Sequence, residues 1–316
     1  MAKVSIGIPV YNGENYLESA IRSVLAQDYQ DIELIIADNA STDRTQTICK
    51  DYADTDRRVR YFRNPKNLGA APNYNKVFHE SVGQYFKWLA HDDLLLPGYV
   101  ETTVKTLEAD PGLVLCNTVI DYVDGEGQHL GFYKSVMSES DSDNAGRRFA
   151  TLVLKSHTCV DFFGMIRRTA MQDSILHMPF SGADKAFLAQ MALRGRMRQV
   201  DKPLLQMREH EARYTRSTKT ASSKLGWHDS SLSGRRDIPV LKLFRTYRTL
   251  VDQENVTDEE RKICRQALRK FWLFSWNGPR LIADLLSIPF PRAVSLAVSA
   301  KLRVFGGEGN FLRKTR

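Results

Sequence analysis

Cysteine is scarce in this chain. The four in 316 residues, Cys49, Cys116, Cys159 and Cys264, form no C-x-x-C pair. Such spacing builds neither a zinc site nor a disulfide framework, and it suits a reducing compartment. Glycine-rich phosphate loops are missing too. Gly7 is followed by Ile8-Pro9, so the first strand opens no G-x-G-x-x-G turn, and no G-x-x-x-x-G-K-[ST] stretch occurs. A nicotinamide-binding Rossmann domain and a P-loop protein are thereby excluded. "PVYNGENY" holds one glycine, too few for the loop with which a sugar nucleotidylyltransferase cradles a triphosphate. The best long apolar run, 281–302, is broken by Asp284, Pro289, Pro291 and Arg292, which argues against a membrane span. Lys3 leads directly into a strand, so no signal peptide is expected. There is no internal repeat and no low-complexity tract.

What remains is a composition ordinary for a folded protein, 42% hydrophobic and 26% charged, with length enough for one large domain or two. The net charge of +8 is lopsided. Residues 235–316 carry 17 Lys/Arg against 8 Asp/Glu, while the first 234 carry 28 against 29. A basic tail points to an anionic partner surface. Nothing else in the chain looks like a nucleic-acid recognition element, so lipid is the expected surface.

Strand and helix signals alternate over the first 120 residues. Short apolar runs at 4–10, 32–37, 59–62 and 85–90 read as strands, and Leu17, Ala20, Ile21, Val24 and Leu25 recur at helical spacing. Asp43 is placed to cap a helix bearing Ile48, Cys49 and Tyr52, and a further helix is expected over 69–82. This alternation implies a parallel sheet with crossover helices. After Val119 the pattern weakens: 121–146 reads as a surface excursion, 149–154 and 160–166 as two strands, 200–207 as a last strand. Ser181-Gly182-Ala183-Asp184 opens a helix, and the chain reads helical from Val240 onward.

Polar clusters stand at three expected strand exits: Tyr11-Asn12, Asp38-Asn39 and Asp92-Asp93. In such sheets ligands bind beyond the carboxyl ends of the strands, so the three clusters belong in one crevice. The adjacent pair Asp92-Asp93 is costly there, through mutual repulsion and desolvation. A cost of that kind calls for a compensating ligand.

"VSIGIPVYNGENYLESAIRSVLAQDYQDIELIIADNASTDRT", followed by "NLGAAPNYN", "LAHDDLLLPGYV", "SGADKAFLAQMALRG" and "LLQMREHEARYTRS", resembles the family 2 glycosyltransferases of the GT-A fold, over roughly residues 3–218. The resemblance implies an α/β, Rossmann-like, mostly parallel central sheet flanked by helices, with a helical basic C-terminal extension. It also implies an inverting, metal-dependent hexosyl- or deoxyhexosyltransferase of cell-surface polysaccharide biosynthesis. Residues 1–224 would form the transferase domain, with a nucleotide-binding half at 1–118 and an acceptor-binding half at 119–224. Residues 225–316 would form the extension.

By the same resemblance, Asp93 and His210 would hold Mn²⁺ or Mg²⁺. Asp92 would contact ribose or sugar, and Arg208 the phosphates. The donor's base would lie against Pro9, Tyr11, Asn12, Asp38, Asn39 and Asp43, bordered by Asn67, Gly69 and Asn73. Asp184 would be the catalytic base. Three positions depart from the family's pattern. Ala90 stands where the first acid of Asp-x-Asp-Asp often does, Ala183 replaces the acid usual before Asp184, and Asn39 replaces an aspartate. UDP-, dTDP- and GDP-sugars all stay open as donors. The acceptor would be a glycan or lipid-linked saccharide. The place would be cytoplasmic, at the inner face of the membrane, with a homodimer or a capping layer as other uses of the tail helices. The alternative is a non-catalytic sugar-nucleotide-binding or scaffold protein of the same fold.

Overall fold

A computed structural model describes residues 3–135, 139–211, 221–235, 238–274 and 277–287. The strands are β1 Val4–Val10, β2 Ile32–Asp38, β3 Val59–Arg63, β4 Tyr85–Trp88, β5 Leu94–Leu95, β6 Leu113–Val123, β7 His129–Tyr133, β8 Met165–Arg167 and β9 Arg196–Arg208. They form one sheet in the order β3-β2-β1-β4-β8-β6-β9-β5, with β7 pairing β6. β1, β2, β3 and β4 pair in parallel, as do β6 and β9, whereas β8 runs antiparallel to both β4 and β6. The sheet is therefore mixed, with a parallel half that carries the Tyr11-Asn12, Asp38-Asn39 and Asp92-Asp93 clusters. Every residue of β1, β2 and β6 is buried, as expected of strands covered by helices on both faces.

Close packing explains Gly7. A Cβ there would lie 2.6 Å from Val77 Cγ2, so its absence lets the helix Ala70–His79 seat against β1. At the centre of the sheet, Trp88 stacks on Phe162 with ring centroids 4.5 Å apart and meets Phe187 edge-on at 5.3 Å.

Three expectations are corrected. The stretch 149–154 is not a strand but the end of the helix Ala145–Leu154, which Asn144 caps by accepting from Arg147 N–H at 2.9 Å. The excursion expected over 121–146 contains the end of β6 and all of β7. Likewise 160–166 splits into a short 3-10 turn, Val160–Phe163, and the start of β8.

The helices Pro239–Gln253 and Asp258–Lys270 are not a detached extension. Tyr247, Leu250, Val251, Cys264 and Phe271 are buried in one cluster with Phe149, Ala183 and Ala186. Glu260 fastens this layer at two points: it accepts from Thr257 N–H at 3.0 Å in a capping box and from Ala145 N–H at 2.7 Å. One carboxylate thus caps two helices. Glu260→Ala should cost about 1–2 kcal/mol, read as a lower urea midpoint at unchanged m-value. Burial would raise the Glu260 carboxyl, but the hydrogen bonds from Ala145 and Thr257 outweigh it and hold the group below its ordinary value. Its stabilisation is therefore present above the unfolded-state pKa and lost as pH falls through the folded one. The gap between wild type and Glu260→Ala should accordingly narrow in acid.

Residues 212–220 of the basic loop and 288–316 of the basic tail lie outside the described residues.

Candidate functional site

The strand order reverses between β1 and β4, and the crevice that such a reversal creates opens beyond their carboxyl ends. Asp38 ends β2 with its carboxylate fully buried. Oδ1 accepts from Ser41 N–H at 2.8 Å, and Oδ2 accepts from the Tyr61 hydroxyl at 2.9 Å and from the Arg63 guanidinium. Arg63 is thus the counter-charge for an anion that would otherwise be costly to bury.

Asn39 departs from its expected role. Its Oδ1 accepts from Asn64 Nδ2 and from Leu68 N–H, both at 3.0 Å, while its Nδ2 donates to Asn67 Oδ1 at 2.9 Å and to Gly69 O at 3.0 Å. An amide offers two donors and one two-lone-pair acceptor, so the side chain is spent within the protein rather than presented to a base. Asn73 belongs to the same lattice. It accepts from Asn64 at 3.0 Å and donates to Ala37 O at 2.8 Å, which pins the loop to the end of β2. Gly69 has φ of 93°, and a Cβ on it would lie 2.6 Å from Asp229 Cα. Ser230 completes the cover, with Oγ donating to Asn67 O at 2.9 Å. The segment around 228–230, assigned from sequence to the tail, therefore roofs the Asn67–Gly69 loop.

Pro9 lies within buried β1. Tyr11 is 45% exposed and presents an aromatic face at the rim of the crevice. Asn12 takes a left-handed φ of 53°, held by its N–H to Ser41 Oγ at 2.9 Å and by Thr42 N–H to its Oδ1 at 2.8 Å. Asp43 accepts from Glu14 N–H and Thr45 N–H, both at 3.0 Å. Burial raises its carboxyl, but the Thr45 and Glu14 hydrogen bonds prevail and keep it below the ordinary value.

Asp92 and Asp93 are both buried just after β4. Their cost is shared among named partners. Asp93 Oδ1 accepts from Arg208 N–H at 3.0 Å, and Asp92 Oδ2 faces His210 Nε2 at 2.8 Å. Lys87, fully buried on β4, donates to Phe163 O and lies 4.6 Å from the Tyr99 ring centroid. Burial pushes its amine down to about 7, against the pull of the Asp93 charge. β9 thus brings Arg208 and His210 to the aspartates, as the resemblance implied, but Arg208 is not turned to a phosphate. Its guanidinium donates to Asp92 O, Asp124 O and Gly125 O at 3.3, 3.1 and 3.0 Å and lies 4.7 Å over the Tyr16 ring. It braces the loops. His210 likewise turns its Nε2 to Asp92, which makes it the orienting partner of a carboxylate.

No group of three or more His, Cys, Asp or Glu that could hold a metal ion is assembled among the described residues. Two adjacent carboxylates are nonetheless the donor set that Mg²⁺ or Mn²⁺ uses when substrate phosphates and water supply the remaining ligands. The residues fit such a shared site rather than an all-protein cage.

Asp184 opens the helix Ala183–Arg194 after Gly182 at φ 99°, and its Oδ1 accepts from Lys185 N–H at 2.8 Å. Around it stand Cys159, whose thiol burial and the Asp184 charge push well up, and His157, which burial pushes down to about 4. Cys159 has a left-handed φ of 60°, a strained conformation of the kind that clusters at functional sites. Among the described residues Asp184 makes no hydrogen bond or ion pair with Asp92, Asp93, Arg208 or His210. The aromatic block of Trp88, Phe162 and Phe187 links its helix to β4. Sequence reasoning passed over Arg63, notable for its pairing with the buried Asp38, and Lys87 and Cys159, notable for their burial.

The family model described as "Glycosyl transferase family 2" matches residues 5–174. An uncharacterised glycosyltransferase of Rickettsia typhi is 39% identical over 133 residues, 42% of this chain and 40% of the relative. A GalNAc(5)-diNAcBac-PP-undecaprenol beta-1,3-glucosyltransferase of Campylobacter jejuni is 28% identical, covering 58% of this chain and 57% of that one. The chain thus spans less than two thirds of the length of these relatives. Among solved structures, Staphylococcus aureus TarS 1–349 in complex with UDP-GlcNAc aligns over 90% of this chain and 79% of that one, with a TM-score of 0.64 at 16% identity. A mannosyltransferase of Pyrobaculum calidifontis, in complex with GDP-Man and Mn²⁺, aligns over 95% and 80%, at TM-score 0.56 and 17% identity. At such identities the likeness is one of fold, the GT-A fold.

Proposed function

The chain belongs to glycosyl transferase family 2, and from that premise we propose that it is an inverting, metal-dependent transferase moving a sugar from a nucleoside-diphosphate donor to a hydroxyl of a glycan or lipid-linked acceptor. The observation that carries this reading is the buried Asp92-Asp93 pair at the reversal of strand order, oriented by His210 and by the Arg208 backbone. Asp93, with Asp92 beside it, would hold a divalent cation, which when bound would supply charge neutralisation for the departing diphosphate. The loop fixed by Asp38, Asn39 and Asn73 shapes the nucleotide pocket, and Tyr11 and Asn12 offer it a contact surface. Asp184 takes the proton of the acceptor hydroxyl as that oxygen attacks the anomeric carbon, and the nucleoside diphosphate leaves from the opposite side. The donors named for the solved neighbours, UDP-GlcNAc and GDP-Man, and the undecaprenol-linked acceptor named for the Campylobacter relative support these substrate classes. The test is a panel of UDP-, dTDP- and GDP-sugars assayed for Mn²⁺-dependent hydrolysis. Cleavage of one of them, lost on chelation, is expected. Binding without cleavage of any, with or without acceptor, would leave the non-catalytic reading.

The same reading puts the enzyme on a membrane surface. Leu273, Phe274, Ile282, Leu285 and Leu286 are exposed, at 83, 45, 60, 47 and 48%, next to Arg269, Lys270 and Arg280. No helix among the described residues is long and apolar enough to cross a bilayer. Apolar side chains beside cations suit a helix lying in the headgroup region, where each Lys or Arg adds about 1 kcal/mol. The full chain should sediment with anionic but not neutral vesicles. Ile282→Glu with Leu285→Glu should release it, and unchanged sedimentation of that variant would refute surface binding through this face.

A further inference from the structure

His177 lies on the loop between β8 and the Asp184 helix, and no motif draws attention to it. Its backbone is clasped on both sides by Asn75: His177 N–H donates to Asn75 Oδ1 at 2.9 Å, and Asn75 Nδ2 donates to His177 O at 3.1 Å. The ring is 7% exposed and walled by Tyr74, His228 and Phe162, with centroids at 5.1, 5.5 and 5.6 Å. Within this closed setting Nδ1 has no partner in hydrogen-bonding geometry among the described residues, although the His177 and Met178 backbones lie beside the ring. Native interiors rarely leave a buried polar atom in that state unless a ligand, ion or water completes it.

The surroundings narrow what the completing group is. Asn75 and Tyr74 belong to the helix that starts at Gly69, on the nucleotide loop. The His228 carbonyl packs against that same glycine, 2.7 Å from where a Cβ would stand. On the other side the Asp184 charge reaches the ring. Burial pushes the imidazole down to about 4 against that charge, so the ring is neutral in ordinary buffers. In a neutral imidazole Nδ1 carries either an N–H or a lone pair according to the tautomer, and a hydroxyl, itself donor and acceptor, can meet either, whereas an ionised phosphate oxygen can meet only the N–H. Resting on the reading above, the position between nucleotide loop and base is the one that the transferred sugar occupies.

We propose that His177 is a specificity-determining residue whose buried Nδ1 hydrogen-bonds a hydroxyl of the donor sugar. The test is calorimetric titration of the full chain, in Mn²⁺, with UDP and UDP-GlcNAc, GDP and GDP-mannose, and dTDP and dTDP-glucose. The readout is the affinity of each sugar nucleotide relative to its own diphosphate. His177→Phe keeps a ring among its aromatic neighbours and removes the nitrogen. For the pair that wild type prefers, the ratio should move about tenfold against the sugar nucleotide, with diphosphate affinity unchanged. His177→Asn, which holds an amide near the Nδ1 position, should retain the ratio, and His177→Gln, which places it near Nε2, should lose it. This second comparison decides the matter if the Phe variant does not fold. An unmoved ratio in His177→Phe, equal losses for sugar nucleotide and diphosphate, or identical behaviour of the Asn and Gln variants would each overturn the proposal. Wild type binding none of the six probes would overturn the nucleotide-sugar reading itself, a separate failure.

Discussion

Asp93→Asn should abolish measurable transfer, a loss on the order of 10³-fold or more, while the protein stays folded. Asparagine keeps an oxygen for the Arg208 N–H that Asp93 Oδ1 now receives at 3.0 Å, so the link between the end of β4 and β9 survives. What disappears is a negative charge at the place where, on the proposed reading, a cation and the departing diphosphate would meet. Charge stabilisation of a leaving group inside a water-poor crevice is among the largest single contributions to catalysis. Asp93→Ala should be as inactive but less stable, because it also strips the Arg208 N–H of its acceptor. Single-turnover assays in saturating Mn²⁺, run beside urea melts, separate the two effects. Wild-type turnover in either variant would end the metal-ligand assignment.

Asp184→Asn should lower turnover roughly 10²–10⁴-fold with donor affinity little changed. The amide retains an oxygen for the Lys185 N–H bonded at 2.8 Å, so the first turn of the helix is undisturbed. It cannot accept the acceptor's proton. Because Asp184 has no bonded contact with Asp92, Asp93, Arg208 or His210, its loss should fall on turnover alone. A parallel fall in donor affinity would instead assign Asp184 to nucleotide binding and leave the base unidentified.

The parallel half of the fold was legible because its strands are continuous apolar runs closed by polar turns, as at Val4–Val10 and Ile32–Asp38. The stretch 149–154 misled because a short run of Phe, Leu, Val and Thr fits a strand and a buried helix equally. Its helical signal lay upstream in the Asn144 cap. β6 was not read as a strand, because Asn117 and Asp121 look like turn residues along it. Both are buried, Asp121 beside His129 Nδ1 at 2.6 Å and Asn117 facing Asp161 at 3.4 Å. At the site, sequence named loops that the fold gathers beyond the parallel strands, but not how their side chains are used. Nothing in the letters Asp38-Asn39 says that the amide's capacity goes to Asn64, Asn67, Leu68 and Gly69, because those partners arrive from other segments. Arg208 is the same case: its three carbonyl partners are set by the meeting of β9 with the loops after β4 and β6. The tail helices read as an extension because their amphipathic spacing cannot say whether the apolar face meets lipid or protein. For Tyr247 and Phe271 it meets protein.

That packing has a bearing on when the protein can first work. Tyr247 and Phe271 are buried with Ala183 and Ala186, the residues flanking Asp184 on its helix. Ribosomal synthesis delivers residues in order, so β1 to β4 and the aspartate pair emerge long before this buttress does. A nascent chain could assemble its nucleotide half early, yet the helix carrying the proton acceptor would lack its backing until residue 271 had left the exit tunnel. On the proposed reading, sugar-nucleotide binding and sugar transfer would then switch on at different chain lengths, with the second waiting on that buried layer.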